Sequence, residues 1–147
     1  MKELKIPAIK QGTVIDHLPS RDTFKVMRIL NPQEFRYPIS IALNLKSKSM
    51  GIKGIIKISN RSLTKEEVDK IAILAPNATV NIIEDYKVKK KIKVKIPEEL
   101  VGIIRCTNPM CVTNKQNIEA RFRLLQHDEL KCEYCERIIN MDEVELR

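Results

Sequence analysis

Four cysteines in two close pairs constrain this chain more than any other feature. Cys106 and Cys111 are separated by four residues, Cys132 and Cys135 by two, and twenty residues lie between the pairs. A turn with two or four intervening residues can aim two sulfurs at one ion, and two such turns complete the tetrahedron of soft ligands that zinc prefers. Two disulfides or four unrelated thiols are the alternatives. The N-terminal Met-Lys-Glu-Leu-Lys-Ile-Pro lacks the apolar stretch and small-residue cleavage site of a secretory signal. Disulfides are uncommon in the reducing cytosol, so one zinc per chain is the expected reading. Four thiolates leave no coordination position for water or substrate, and no H-x-E stands beside the C-x-x-C as a zinc deaminase requires. The expected role of the metal is structural.

Charge divides the chain in the same way as the cysteines. The net charge is +8, yet residues 1–96 carry +11 and residues 97–147 carry −3. A basic cysteine-free domain (1–96) and an acidic cysteine-bearing domain (97–147) are expected, with the boundary near Pro97-Glu98-Glu99. The second is too short for a generous core, so the metal should supply much of its folding free energy. No apolar run approaches the ~18 residues of a membrane helix, and a soluble, cytoplasmic protein without a membrane partner is expected. Aromatic residues are only 4% of the chain, so the core must be aliphatic.

Hydrophobic patterning predicts alternating strands and helices in the first domain. Residues 12–18 (GTVIDHL) form a β-branched run stopped by Pro19. Ser20 is the expected N-cap of a helix carrying Phe24, Met27 and Leu30 at helical spacing, ended by Asn31-Pro32. Residues 39–45 alternate, with Ile39, Ile41, Leu43 and Leu45 on one face, and residues 52–58 form the next strand. Thr64 and Glu67 make a T-x-x-E capping box. The helix behind it buries Val68, Ile71, Ala72 and Ala75 and stops at Pro76. A fourth strand covers residues 79–86. The order βαββαβ is that of the ferredoxin-like split arrangement, giving an α+β chain: a ferredoxin-like domain followed by a small, mainly-β zinc-binding domain.

A fifth extended segment, residues 87–96 (KVKKKIKVKI), places Lys87, Lys89, Lys91, Lys93 and Lys95 on one side of a half-buried strand by period-two alternation. Such a face either guards a sheet edge against aggregation or binds anions. Lys53 and Lys57 share a face by parity, as do Asn81 and Ile83. His17 and His127 are the only histidines, and Asp16-His17 at a strand end reads, on sequence alone, as a turn feature rather than a site. No phosphate-binding glycine loop or nucleophile elbow is present. On these features alone a basic zinc-containing nucleic-acid-binding protein is a rival, opposed by the acidic zinc domain and the scarcity of aromatics for base stacking.

Several stretches together resemble the regulatory chain of aspartate carbamoyltransferase. They are Ala8-Ile9-Lys10 with Gly12-Thr13-Val14-Ile15-Asp16-His17, Leu43-Asn44-Leu45, Met50-Gly51, Ile56-Lys57-Ile58 with Asn60, Ala75-Pro76, Ala78-Thr79-Val80-Asn81 and Tyr86. The cysteine spacing and Leu130-Lys131-Cys132-Glu133-Tyr134-Cys135-Glu136 complete the match. The resemblance implies a non-catalytic regulatory subunit with no catalytic residues of its own, acting in pyrimidine biosynthesis by allosteric regulation. It implies an N-terminal nucleotide-binding domain for CTP, ATP and UTP and a C-terminal zinc domain that docks on the catalytic chain. It also implies regulatory dimers within a hetero-oligomer of six catalytic and six regulatory chains.

By position, the resemblance carries nucleotide contacts to Ala8, Ile9, Val14, Asp16, His17, Lys57, Asn81, Ile83, Tyr86, Val88 and Lys91, with Lys53 an extra phosphate contact. Lys91 and His17 would face the triphosphate, and Asp16 and Lys57 would hold the ribose and base edge. Backbone groups around Ala8, Ile9, Tyr86 and Val88 would read the base. The zinc ligands carry over to Cys106, Cys111, Cys132 and Cys135. The chain departs from the family pattern at Ser59, near the ribose end of the site, where Glu is familiar. It departs again at Met110, which replaces an Asn between the first two cysteines, while Asn108 is kept. Residues 31–38 and 114–128 also differ.

Overall fold

The computed structural model describes residues 8–146. Residue contacts divide the chain into two units, Met1–Lys95 and Ile96–Arg147.

The first unit is a five-stranded antiparallel sheet in the order β2-β3-β1-β4-β5. Its strands are β1 (Gly12–Leu18), β2 (Ile39–Ser47), β3 (Gly51–Ser59), β4 (Thr79–Glu84) and β5 (Lys87–Lys93). Helix α1 (Thr23–Ile29) follows β1 and α2 (Lys65–Leu74) follows β3. The inner order β2-β3-β1-β4 is the ferredoxin-like one, and β5 extends it as a hairpin outside β4. A two-residue turn joins β4 to β5, with Asp85 (φ 50°) and Tyr86 (φ 66°) both left-handed, as a type I′ hairpin turn demands.

Alternation along the strands assigns one sheet face to the core. Ile15, Leu18, Ile56, Ile58 and Val80 are buried there, with Val26, Met27 and Leu30 of the α1 region and Ile71 and Ala72 of α2. Gly54 allows α1 to approach: a Cβ at that position would collide with the Thr23 hydroxyl. The capping box closes the start of α2, with Thr64 Oγ1 accepting from Glu67 N at 3.2 Å and Glu67 Oε1 accepting from Thr64 N at 3.0 Å.

The first helix departs from expectation. Residues Ser20–Asp22 form a 3-10 turn, and α1 starts only at Thr23. Ser20 does not cap it; its hydroxyl instead accepts from Asn44 N at 3.0 Å. Phe24 is 56% exposed, and Thr23 and Val26 take the inward positions beside Met27.

The lysine face is also corrected. Register runs Asn81↔Lys91 and Ile82↔Lys90, then skips to Ile83↔Val88 and Glu84↔Lys87. Lys89 is the extra residue of a β-bulge, and such an insertion reverses side-chain parity beyond it. Lys91 and Lys93 therefore share a face with Val88, while Lys87 falls to the opposite face with Lys90. Within this edge strand only Ile92 is partly covered, and the strand ends at Lys93 rather than residue 96.

The second unit is built on a four-stranded antiparallel sheet of β6 (Glu99–Val101), β8 (Arg121–Leu124), β9 (Glu129–Cys132) and β10 (Ile138–Asn140), in the order β10-β9-β8-β6. Strand β7 (Ile104–Arg105) pairs separately with β11 (Glu145–Leu146), and α3 (Val112–Lys115) is a single turn. Leu100, Phe122, Leu130 and Ile139 are each at most 2% exposed and form its small core. The mixed α+β class and the small, mostly stranded second unit match the expectation from the sequence.

Candidate functional site

The four cysteines converge from two places. Cys106 directly follows β7 and Cys111 opens α3, while Cys132 ends β9 and Cys135 lies in the turn after it. That turn is closed by Glu136 N donating to Cys132 O at 2.9 Å and Cys132 N donating to Arg137 O at 2.9 Å, with Glu136 left-handed at φ 65°. All four Sγ atoms lie within 4.8 Å of one another. Cys106 to Cys135 is 3.6 Å and Cys111 to Cys132 is 3.8 Å. A tetrahedron with Zn–S bonds of about 2.3 Å has edges of about 3.8 Å, whereas a disulfide needs about 2.05 Å. The donor set is that of a closed tetrathiolate centre suited to a structural zinc.

The thiols are unequal. Burial pushes Cys106 up to about 12 and also raises Cys132. Burial acts on Cys135 in the same direction, but hydrogen bonds from the Arg137 backbone and the Asn108 side chain, together with Cys106 and Cys132, bring it down to about 7. A divalent cation resolves this arrangement by displacing the thiol protons and binding the thiolates. Around the cluster, Asn114 Nδ2 donates to Cys106 O and to Asn108 O, each at 2.8 Å, and Asn108 Oδ1 accepts from Met110 N at 3.0 Å. Met110 projects from this loop, 68% exposed.

In the first unit, the sheet face opposite the helices gathers most of the residues singled out above. One row crosses all five strands: Ser40, Lys57, Val14, Asn81 and Lys91. A second row, towards the start of β1, comprises Ser59, Gly12, Ile83 and Val88. Ala8 and Ile9 lead into β1 at that end, and Lys10 O accepts from Tyr86 N at 3.0 Å, tying the β4–β5 turn to this segment. A third row, at the other end, contains Asp16, Thr79 and Lys93.

At this third row β1 bulges, which leaves His17 left-handed at φ 60°. Asp16 Oδ1 accepts from His17 N at 2.6 Å and from Lys53 Nζ at 2.8 Å. His17 Nδ1 lies 3.2 Å from Thr79 Oγ1. Lys53 is thus already paired with a carboxylate. A cleft of about 370 Å³ opens here, lined by His17, Met50, Asn77, Thr79, Lys91 and Lys93, among others. Strand parity brings Lys93 to this cleft beside Lys91. Thr79 and Asn77 carry no motif by which sequence reasoning could find them; the register that sets Thr79 opposite Asp16 is the signal. His127, the second histidine, belongs to the other unit and joins neither site.

Comparison with known proteins covers both units. Residues 4–95 match the family model of the aspartate carbamoyltransferase regulatory chain, allosteric domain, and residues 98–145 match that of its metal-binding domain. An aspartate carbamoyltransferase regulatory chain of Methanococcus maripaludis is 52% identical over 141 residues, covering 95% of each chain. One from Pyrococcus abyssi is 47% identical over 98% of this chain and 97% of its own, and one from Porphyromonas gingivalis is 43% identical over 99% and 97%. With both family domains matched in order and relatives alike over nearly their whole length, the chain belongs to the family of aspartate carbamoyltransferase regulatory chains.

Proposed function

We propose that this chain is a cytoplasmic, non-catalytic subunit that binds nucleotide effectors on the open face of its N-terminal sheet and passes their influence to a catalytic carbamoyltransferase chain held by its zinc domain. The domains proposed for these tasks are residues 1–96 and 97–147. The observation that carries the nucleotide reading is the row Lys57, Val14, Asn81 and Lys91 across four neighbouring strands. It sets two cations and an amide around an apolar floor. From Gly12 to Asp16 the row of open-face residues runs about 13 Å along β1, and the face continues past both ends, to Ala8 at one and to the cleft lined by His17 and Lys93 at the other. Base and ribose lie towards Ala8, Ile9, Ile83, Tyr86 and Val88. The phosphates lie towards His17, Lys91 and the cleft, where Lys53 can share its charge between Asp16 and a phosphate oxygen.

The zinc supplies rigidity at the proposed docking surface: Cys106, Cys111, Cys132 and Cys135 hold it, and the loop bearing Met110 is anchored between two of these ligands. The assembly is a regulatory dimer bridging catalytic trimers, six chains of each kind, with CTP, ATP and UTP as effectors.

The test is co-purification with a catalytic chain, followed by activity assays with and without CTP and ATP. Disassembly with a mercurial and a chelator should free catalytic chains that stay active but no longer respond to nucleotide. If the freed trimer loses all activity while intact, this chain contributes catalytic chemistry and the regulatory reading is wrong. Binding governed by salt alone, without regard to base, would favour nucleic acid as the ligand of the basic face.

A further inference from the structure

Thr113 stands out among the polar groups near the cysteine cluster. It is 6% exposed, on the turn α3 that Cys111 opens, and its Oγ1 lies 3.1 Å from Cys111 Sγ. The N-cap position of α3 has no side-chain hydrogen bond to a backbone N–H, so the sulfur's close polar neighbour on this turn is the threonine hydroxyl. A zinc-bound cysteine carries no proton, and the hydroxyl must then donate and the sulfur accept. Four thiolates against one divalent ion leave the centre with about two negative charges in a buried setting. A donor aimed at a ligand sulfur offsets part of that charge, and such partners orient and tune the metal.

We propose that Thr113 is a positioning residue for the zinc centre: its buried hydroxyl donates to the Cys111 thiolate, fixes that sulfur's orientation and slows loss of the metal. The methyl group has no share in this role. Asn114 works on the backbone, clamping two carbonyls of the same loop, and acts on no sulfur. A cleft of about 110 Å³ lined by Arg105, Cys106, Thr113, Asn114, Gln116 and Ala120 opens beside the hydroxyl. A chelator or competing thiol entering there meets the Cys106 ligand first, and a firmly held Cys111 on the far side of Thr113 keeps the metal bound while that edge is attacked.

The experiment uses the full chain loaded with zinc or with cobalt(II), comparing Thr113→Val with Thr113→Ser. Valine keeps the shape and removes the donor; serine keeps the donor and removes the methyl. Zinc transfer to a chromophoric chelator should be roughly 10- to 100-fold faster or more favourable in Thr113→Val, and close to wild type in Thr113→Ser. In the cobalt form the sulfur-to-metal charge-transfer band should move to lower energy in Thr113→Val, because a sulfur without a donor gives up its electrons more readily. Serine should restore the band. Unchanged release and an unshifted band in Thr113→Val overturn the proposal. Faster release with an unshifted band also overturns it, since that is what loss of packing alone produces. Should Thr113→Val take up no metal, Thr113→Ser decides: normal loading and release support the hydroxyl's role, and failure like that of valine overturns it.

Discussion

Replacing Lys91 by alanine tests the proposed nucleotide face most directly. Lys91 pairs across the sheet with Asn81 and lines the cleft shared with His17. Two unit charges 4 Å apart interact by about 1 kcal/mol at the permittivity of water and about 4 kcal/mol at an effective value of 20. Lys91 is exposed, so the lower part of that range applies, about 1–2 kcal/mol, or a loss of roughly 5- to 30-fold in triphosphate affinity. Lys89 is the matched control on the same strand. It is the bulge residue, and its ammonium is already paired with Glu84 at 2.9 Å. Lys89→Ala should change affinity by less than about twofold, as expected for one exposed ion pair. Titration calorimetry with CTP and ATP at two salt concentrations reads both variants. Equal losses for Lys91→Ala and Lys89→Ala would mean a diffuse cationic surface, and the row-by-row reasoning would fail.

Metal analysis should find one zinc per polypeptide, and replacing any one of the four cysteines by serine should unfold residues 96–147 while hydrogen exchange in the first unit stays protected. Zinc affinity should rise with pH, because Cys106 holds its proton to about 12 without metal and must lose it on binding. Cys135 sits at about 7, so below that pH one further proton must be displaced and the pH slope, measured by competition with a chelator, should steepen. Thr64→Ala removes the α2 cap seen in the Thr64–Glu67 box and should cost about 1 kcal/mol. Scanning calorimetry should show the first unit melting about 4–8 °C lower, with Thr64→Ser near wild type.

Local chemistry made parts of the fold readable. The run GTVIDHL is bounded by a glycine and a proline, and β1 occupies those same seven residues. The capping box names the start of α2 because both partners lie within one helical turn. The cysteine cluster is legible because spacing alone limits which sulfurs can meet. Non-local register is what alternation cannot see. In KVKKKIKVKI nothing marks Lys89 as an insertion, since the bulge arises where the tight Asp85–Tyr86 turn must be reconciled with pairing further along β4. Ser20 fails as a cap for a similar reason: a distant partner, Asn44, takes its hydroxyl. Of the proposed nucleotide face, parity reveals which residues share a side, but only the family resemblance singles out His17 and Asp16 from other polar residues at strand ends.

The sheet with helices on one side only has an evolutionary corollary. Along β3, residues that face the open side alternate with residues that hold the core: Lys57 stands between Ile56 and Ile58, at 0% and 1% exposure. Exchanging a residue on the open face leaves its inward neighbours where they were. The preference of the proposed effector site can therefore drift, or be engineered, at Lys57, Asn81 and Lys91 with little melting penalty, whereas a residue inserted into β3 without a compensating bulge would exchange its two sides.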